Sequence, residues 1–288
     1  MNPVVLAIIA SICWGVGTAL QKLGMSASFP KITLRRAFRQ IGPILKVLVT
    51  NWPWMLGLLG QLGGMASFAT ALGAGDISRV QPIVCLTGVV AALVGVIFLK
   101  EKVSPREWLG IAIIVAGVIL VGSAGSGQTA KIPSNLAILF FTGLTVILAG
   151  GSLALGKAGI SAEFTLSLAA GMTFGLSNLT GKWLTQRVIL DVGAPFSLGR
   201  GAVLWSAITD YPLYIVLACT FIGSVFFQTA FANGRASVVS PIVTIISNVL
   251  PIIAALMVFG EQVTALHGAG LVVVLVGTAL LAAKQEKN

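Results

Sequence analysis

The chain has 288 residues, of which 57% are hydrophobic and only 9% are charged, and its net charge is +10. No soluble fold could bury this much apolar side chain, so the composition excludes a soluble protein. We predict a polytopic membrane protein whose basic residues serve orientation and contact with anionic lipid, so that the charge need not indicate nucleic-acid binding.

Long uncharged runs divide the chain into segments of transmembrane length. Crossing about 30 Å of hydrocarbon takes roughly 20 apolar residues in a helix, and such runs favour helices over a barrel. Nine runs follow one another, at 3–24, 52–73, 79–99, 106–124, 134–156, 163–187, 211–232, 237–258 and 264–283. The predicted fold class is therefore all-α, with about nine transmembrane helices.

The segment 25–51 leaves a tenth span open. Four basic residues between 31 and 39, together with Pro43, make it a poor span but a fair interfacial helix. Its counterpart 188–210 is also broken, by three glycines and Pro195. We therefore prefer nine spans over ten.

Basic residues set the predicted orientation. With nine spans and the N-terminus outside, the outer side keeps only five of the 18 lysines and arginines, namely Arg79, Lys131, Lys182, Arg187 and Arg200. This positive-inside bias predicts a multi-pass protein with a cytoplasmic C-terminus, which we expect in a bacterial inner membrane.

The two halves of the sequence repeat each other at an offset of 159 to 160. Identical residues coincide throughout the register, as in Phe68/Phe227, Ser78/Ser237, Pro82/Pro241, Glu101/Glu261, Gly110/Gly270 and Gly117/Gly277. Matched spans are five steps apart, so they run in opposite directions. The sequence thus predicts a first repeat at 1–125, a linking helix at 126–160 that has no counterpart, and a second, inverted repeat at 161–288.

Inverted repeats are a recurring build of transporters, because two related halves can pack in two ways that open to opposite sides. The alternative interpretation is an old duplication that was kept only for packing. We favour transport by alternating access.

The pattern Gly-x-x-Ser-x-Val-x-Pro-Ile occurs at 75–83 and at 234–242, and each copy is followed by an apolar helix, a Glu and a Gly-x6-Gly helix. This combination resembles the EamA-type repeat of the drug/metabolite transporter superfamily, over nearly the whole chain. The nine-span layout is closest to the NIPA-type branch, which is associated with magnesium transport. Features similar to that branch are Gln21-Lys22-Leu23-Gly24, Gly156-Lys157-Ala158-Gly159 and the segment 237–241.

One departure from that branch concerns acidic residues. The branch carries a Glu within the second span, whereas 57–73 contains no acid here, and all eight acids fall in loops or at span ends. Magnesium usually requires one or two carboxylates. The resemblance therefore implies magnesium transport less strongly than it implies the fold.

Neutral polar residues are what lies at membrane depth. They can bind a zwitterionic or hydroxylated solute, or they can bridge helices. The candidates for substrate binding are Thr244, Ser247, Asn248, Gln228, Asn178, Thr18, Gln21 and Gln61. Thr244, Ser247 and Asn248 are the first choice, because Pro251 should kink the eighth span there and free the Ser247 carbonyl.

Pro82 and Pro241 are predicted to lie near the starts of their helices, with Ser78 and Ser237 as N-caps. A functional alternative is that the two helix N-termini face a cavity and favour an anionic group. Four ionisable residues near span ends are candidates for gates or counter-charges, against the simpler alternatives of snorkelling lysines and helix-end acids: Lys22, Lys182, Glu101 and Glu261.

Other chemistry is nearly absent from the sequence. Cys13, Cys85 and Cys219 are far apart, His267 is alone, and no nucleotide-binding motif occurs. We therefore expect no enzyme activity, no cofactor and no metal site, and a driving force that comes from a solute or ion gradient.

The predicted function is a secondary transporter that moves a small polar or amphipathic metabolite by alternating access. A magnesium or divalent-cation transporter of the NIPA type is the alternative, and a non-transporting membrane scaffold is the second. The expected partners are the lipid bilayer and a small-molecule or ion substrate, and homodimer formation is left open.

Overall fold

The computed structural model describes residues 2–28, 50–99, 103–124, 133–157, 159–197, 199–233 and 236–282. In these ranges eleven α-helices follow one another: α1 (Pro3–Ser28), α2 (Trp52–Ala74), α3 (Ile77–Val84), α4 (Leu86–Leu99), α5 (Pro105–Ser123), α6 (Asn135–Lys157), α7 (Ala162–Val192), α8 (Gly201–Thr209), α9 (Tyr211–Asn233), α10 (Ala236–Met257) and α11 (Ala265–Ala282). The all-α prediction is confirmed. Of the predicted interfacial segment 25–51, residues 29–49 lie outside the described residues, while 25–28 continue α1.

Five stretches within the described ranges are long and apolar enough to cross a membrane, judged by length and composition alone. They are Pro3–Gln21, Trp52–Ala74, Ile77–Ile97, Pro105–Ser123 and Asn135–Gly156. A sixth results if α8 and the first part of α9, which meet at an angle of 73°, count as one span, and α10 and α11 contain shorter apolar stretches. The chain is a polytopic membrane protein.

The third predicted span is two helices. α3 ends at Val84 and α4 begins at Leu86, and the Cys85 N–H bonds to the Pro82 carbonyl at 3.2 Å across the break. Pro82 supplies no backbone N–H to the helix, which weakens the ladder just before this point. The third span thus has a one-residue interruption at Cys85, and Ile77–Ile97 still forms one stretch of transmembrane length.

The sequence repeat is visible as packing. In the first half, the rings of Trp14 and Phe68 are 5.3 Å apart, and an added Cβ on Gly64 would come within 2.5 Å of the Trp14 ring. In the second half, Phe174 and Phe227 are 6.2 Å apart, and Gly223 lies against Phe174. Equivalent helix pairs, α1 with α2 and α7 with α9, are therefore held by equivalent aromatic contacts.

The inversion is visible where α5 meets α11. An added Cβ on Gly110 would meet the Gly277 carbonyl at 3.1 Å, and one on Gly117 would meet the Gly270 carbonyl at 3.0 Å. Ascending residues on α5 thus face descending residues on α11, so these matched helices are antiparallel. The glycines allow the two backbones to approach closely, as small residues do between membrane helices.

α6, which has no counterpart in the repeat, packs against α7 on one side only. Ile138 and Phe141 join a core cluster with Leu176, Leu179 and Trp183. On its other side, Phe140 and Ile147 are more than two-thirds exposed. This face of α6 is apolar, as expected for a surface in contact with lipid.

The predicted broken segment 188–210 contains the end of α7, a loop and α8. α7 stops at Val192 because Gly193 adopts a left-handed conformation with φ 64°, which glycine tolerates well. On α8, Trp205 is 71% exposed while Val203 is buried. An apolar outer face and a bend of 73° into α9 are typical of a helix that lies at the membrane interface.

Candidate functional site

A buried pair of amide side chains lies where α3 of the first repeat crosses α10 of the second. Gln81 Nε2 donates to Asn248 Oδ1 at 3.2 Å and approaches the Ser247 carbonyl at 3.5 Å. Gln81 and Asn248 are 3% and 6% exposed. The predicted first-choice residue Asn248 is thus at a contact between the two repeats.

The Ser247 carbonyl accepts a side-chain hydrogen bond because Pro251, four residues later, has no N–H to offer it. Gln81 supplies the missing donor from the other repeat. α10 continues from Ala236 to Met257 through this position, and the kink at Pro251 stays a prediction.

One hydrogen-bond acceptor of the amide pair, the side-chain oxygen of Gln81, has no donor among the described residues. Asn248 uses both ends of its amide, since Nδ2 donates to the Thr244 carbonyl at 2.7 Å. Gln81 Oε1 is buried and has no hydrogen-bond partner among the described residues. A buried carbonyl oxygen without a donor costs about 1–3 kcal/mol. This site is therefore suited to receive a donor group.

The hydroxyl group of Ser247 in the predicted wall is turned toward its own helix. Ser247 Oγ donates to the Thr244 carbonyl at 3.2 Å, and both side chains are half-buried. The predicted triplet Thr244, Ser247 and Asn248 is thus one hydrogen-bonded turn of α10. Within it, the Asn248 amide makes the contact with the first repeat.

Asn178 lies on the face of α7 that is turned toward α10 and the end of α2. Gly171 and Gly175, seven and three residues earlier, pack on Ile246 and Leu250 of α10, whereas Lys182, four residues later, reaches α2. The Asn178 side chain is half-buried and makes no hydrogen bond to a described residue. Its amide is available to a ligand or to water.

Thr18, Gln21 and Gln61 belong to a separate place, the contact of α1 with α2. Gln61 Nε2 donates to Thr18 Oγ1 at 3.1 Å, and Gln21 packs against Gly57. Polar side chains that join two membrane helices are common. The structure therefore divides the predicted binding residues into an α3–α10 group and an α1–α2 bridge.

Several predicted residues cannot be assigned contacts. The side chains of Lys22, Gln228 and Pro241 lie outside the described part of the structure, and so does the whole of Glu101. Their predicted roles stay predictions.

Lys182 is buried and bonded to the end of α2. Its ammonium group donates to the Leu72 carbonyl at 2.6 Å and to the Gly75 carbonyl, and the residue is only 4% exposed. The snorkelling alternative is thus wrong for this lysine. A cation at a helix C-terminus is favourable because the last carbonyls carry partial negative charge.

Glu261 is the counterpart of Lys182 at the start of α3. Its two carboxylate oxygens accept from the N–H groups of Ile77 and Ser78, each at 2.9 Å, and it is 4% exposed. A carboxylate is the best partner for a helix N-terminus. Glu261 is thus a helix-end acid, but it caps a helix of the other repeat. This N-terminus is already bonded to the protein's own anion.

The predicted helix start at Ser78 and Pro82 is wrong. The N-cap is Asp76, Ser78 is the second residue of α3, and Pro82 lies inside the helix. Since Pro82 has no N–H, the Ser78 carbonyl lacks its helical partner. His267 Nε2 lies 2.9 Å from that carbonyl, and because a carbonyl can only accept, Nε2 carries the proton.

Asp76 lies half-buried between these groups, in the link between α2 and α3. Burial, and then the charge of Glu261, raise the pKa of Asp76 above its ordinary value of 3.8. Three basic residues act in the opposite direction and lower this pKa: Lys182, Arg79 and His267. The junction of α2 and α3 is thus a cluster of ionisable groups at one end of the bundle.

A separate cavity of about 480 Å³ opens between α7 and α8. It is lined by Arg187, Leu190, Asp191, Ser206, Thr209 and Asp210. Arg187 pairs with Asp210 through two contacts of 2.6 and 3.0 Å and lies 5.1 Å from the ring centre of Tyr211. None of the predicted substrate-binding residues lines this cavity, so it is distinct from the amide pair.

Sequence reasoning missed Gln81 and His267. Gln81 occupies a variable position of the repeated motif, and His267 is a single histidine without a sequence partner. A role for Gln81 or His267 becomes visible only when its partner is known, which in each case is the carbonyl that a proline leaves free in the opposite repeat.

Within the described ranges, no three His, Cys, Asp or Glu side chains are grouped to hold a metal ion.

Comparison with known proteins gives a family match in the first repeat. Residues 1–123 match the EamA-like transporter family. The chain is similar to a probable magnesium transporter, NIPA9 of Arabidopsis thaliana, with 24% identity over 270 residues, 89% of this chain and 73% of that protein. No solved structure matches the chain significantly.

Shorter matches involve bacterial transport proteins. A probable 4-amino-4-deoxy-L-arabinose-phosphoundecaprenol flippase subunit, ArnE of Pseudomonas savastanoi, is 35% identical over 80 residues, 27% of this chain and 68% of that protein. An uncharacterized transporter of Sinorhizobium sp. is 41% identical over 71 residues, 24% of this chain and 50% of that protein.

Proposed function

Because this chain belongs to the EamA-like transporter family, within the drug/metabolite transporter superfamily, we propose that it is a secondary carrier of a small polar or amphipathic metabolite. The observation that carries this proposal is the buried amide pair of Gln81 and Asn248 at the crossing of two helices from opposite repeats. Transporters built from inverted repeats bind cargo at the interface of the two repeats.

Alternating access follows from the two repeats. The α5–α11 glycine contact is tight and apolar, so it suits a fixed axis. The α3–α10 contact is polar and includes an unsatisfied acceptor, Gln81 Oε1, so it suits a contact that is exchanged for cargo. We propose that cargo enters between α3 and α10 and that the repeats then rock around it.

The chemistry of the amide pair defines the class of cargo. The carbonyl oxygen of the Gln81 side chain lacks a donor among the described residues, so it suits an amine, an amide or a hydroxyl group of the cargo. Asn178 offers both a donor and an acceptor on the neighbouring face of α7. We propose an uncharged, zwitterionic or amine-bearing solute, driven by its own gradient or by that of a coupled ion.

Magnesium transport is the second candidate. It is supported by the similarity to a probable magnesium transporter over 89% of this chain. Against it, Glu261 is already bonded to two backbone N–H groups, and the second span contains no acid. A hydrated magnesium ion would have to be bound mainly through neutral oxygens, which it accepts less readily than carboxylates.

Flux measurements on purified protein in liposomes distinguish the two. The panel holds magnesium, amino acids, and amine-bearing and aromatic solutes, and the variants are Gln81→Met and Asn248→Leu. We expect one organic solute of the panel to be transported. Its flux should fall by about tenfold or more in both variants, because each variant removes a polar partner at a buried site.

Thr145→Val is the matched control, because this buried hydroxyl bonds only within α6, to the Phe141 carbonyl. It should leave the flux unchanged. Magnesium flux that is abolished when Glu101 and Glu261 are replaced, but untouched by Asn248→Ala, would overturn the metabolite proposal.

We also propose a bacterial inner membrane with a cytoplasmic C-terminus. Pro3 packs against Gly75, so the chain begins at the same end of the bundle as the α2–α3 junction, and the positive-inside bias puts that end outside. Reporters fused to each terminus test this orientation. A cytoplasmic N-terminal reporter contradicts nine spans and favours ten.

A further inference from the structure

At one end of the bundle, three side chains of the second repeat form hydrogen bonds to one short segment of the first repeat. Lys182 bonds to the Leu72 and Gly75 carbonyls, Glu261 to the Ile77 and Ser78 N–H groups, and His267 to the Ser78 carbonyl. All bonded groups fall within 72–78. We call Lys182, Glu261 and His267 the clamp.

The clamp acts on two helix ends of opposite polarity. The C-terminus of α2 carries partial negative charge and receives a cation, whereas the N-terminus of α3 carries partial positive charge and receives an anion. Both charged residues are 4% exposed. Water is therefore excluded from this end of the contact between the repeats.

We propose that the clamp is the gate that closes this end of the path between the two repeats. The inference rests on the alternating-access function proposed above, since alternating access requires the repeats to separate at one end at a time. Every contact of the clamp joins the two repeats, so separation at this end must break all of them.

Polarity distinguishes the clamp from the permanent contact of the repeats. The α5–α11 contact is made by glycines and apolar side chains, which gain nothing from water when they part. The clamp consists of groups that water can solvate once they open. In addition, the clamp bonds to the backbone of Ser78, while the Ser78 hydroxyl oxygen is buried and has no hydrogen-bond partner among the described residues. Such an unsatisfied group is uncommon in a permanent polar contact.

Lys182 and Glu261 have the repeat equivalents Lys22 and Glu101, whose contacts lie outside the described part of the structure, whereas His267 has no histidine equivalent. The repeat equivalent of His267 is Glu107, and Glu107 is used within its own helix, where it accepts from Ser104 N at 2.6 Å in a capping box. The opposite end therefore lacks the histidine of the clamp. The two ends of the bundle therefore differ at the aligned positions His267 and Glu107.

The test uses Ser78→Cys as a reporter, in a chain whose three native cysteines are replaced by alanine. The change is nearly isosteric and removes no hydrogen bond of the hydroxyl group, and Ser78 is 2% exposed. The reaction of this thiol with a membrane-impermeant maleimide, added to both sides of reconstituted protein, reports opening. We expect Glu261→Gln and Lys182→Met each to accelerate labelling about tenfold or more, because each weakens charge-assisted bonds of the closed state.

Arg187→Gln is the matched control. It breaks an ion pair five residues further along α7, but Asp210 belongs to the same repeat, so labelling of Ser78→Cys should not change. Equal acceleration in Arg187→Gln, or no acceleration in Glu261→Gln and Lys182→Met, overturns the gate.

If either clamp variant fails to fold, as judged by size-exclusion chromatography, His267→Leu replaces it with the same expectation and the same control. Labelling needs no cargo. A wrong assignment of cargo therefore leaves the result of this test intact, and a failed gate leaves the flux result intact.

Discussion

His267 Nε2 lies 2.9 Å from the Ser78 carbonyl, the one that Pro82 leaves without its helical N–H. The same arrangement recurs in the opposite direction, since Gln81 of the first repeat reaches the Ser247 carbonyl that Pro251 leaves free. In each case a proline creates an acceptor inside a membrane helix and the other repeat supplies the donor. A freed carbonyl is tolerated at membrane depth when such a partner is present.

Replacement of His267 by leucine should destabilise the protein through the Ser78 carbonyl. Without the imidazole, this buried carbonyl has no donor, which costs about 1–3 kcal/mol. Pro82→Ala should rescue part of the loss, because alanine restores the N–H that the helix lacks. Thermal unfolding in detergent of the two single variants and the double variant measures the coupling.

Strict additivity of the two changes would contradict this account, since residues that serve one carbonyl should couple. His267→Gln is a useful companion, because its amide can still donate and should lose less stability than leucine.

The pH dependence of stability should include a contribution from Asp76. Its pKa is raised by burial and by Glu261, so the native structure favours the protonated form. The resulting stabilisation is complete below the ordinary value of 3.8 and is lost as the pH rises through the raised pKa. Asp76→Asn should therefore match the wild type at low pH and become the more stable protein at neutral pH.

Melting temperatures of both proteins between about pH 4 and pH 8 check the sign. Thr145→Val, which changes a buried group that does not titrate, is the control, and its difference from the wild type should not depend on pH. A constant difference between Asp76→Asn and the wild type across this range would contradict the prediction.

Helices and their directions could be predicted from the sequence because both depend on long patterns. Apolar runs place the spans, and an offset shared by many residues places the inverted repeat. Partners of single polar residues depend on which helices cross, and the sequence does not contain that information. Asn248 is predicted from the sequence only as part of a binding wall, which stays a prediction, and its partner Gln81 in the other repeat is not predicted at all.

The error at Ser78 has a similar cause. Serine before an apolar run is a common N-cap, but the N–H groups of α3 are satisfied by Glu261, which is 183 residues away from Ser78. A local rule for helix starts cannot anticipate a cap that comes from the other repeat. Lys182 is similar, because its carbonyl partners Leu72 and Gly75 lie 110 and 107 residues away along the chain.

Neighbouring glycines of α2 should respond oppositely to alanine. A Cβ on Gly64 would come within 2.5 Å of the Trp14 ring, whereas the nearest atom to one on Gly63 is 3.9 Å away. Gly64→Ala should cost about 1–3 kcal/mol through overpacking. Gly63→Ala should gain up to about 1 kcal/mol, because alanine favours the helix. Unfolding measured side by side tests the aromatic contact of the first repeat, and equal effects would contradict it.

The glycine contact between α5 and α11 should be the least tolerant part of the interface between the repeats. An added Cβ on Gly277 would lie 2.7 Å from the Ile114 backbone nitrogen, and backbone cannot move aside as a flexible side chain can. Gly277→Val should therefore separate the helices and lower the yield of folded protein, with a loss of about 3 kcal/mol or more if it folds. Gly143→Val, in α6, is the control, because nothing lies within 4 Å of the added carbon. If α5 and α11 form the fixed axis of the two repeats, Gly277→Val should lose flux only because the protein unfolds. A Gly277→Val variant that is folded and stable but inactive would show instead that this contact moves during transport.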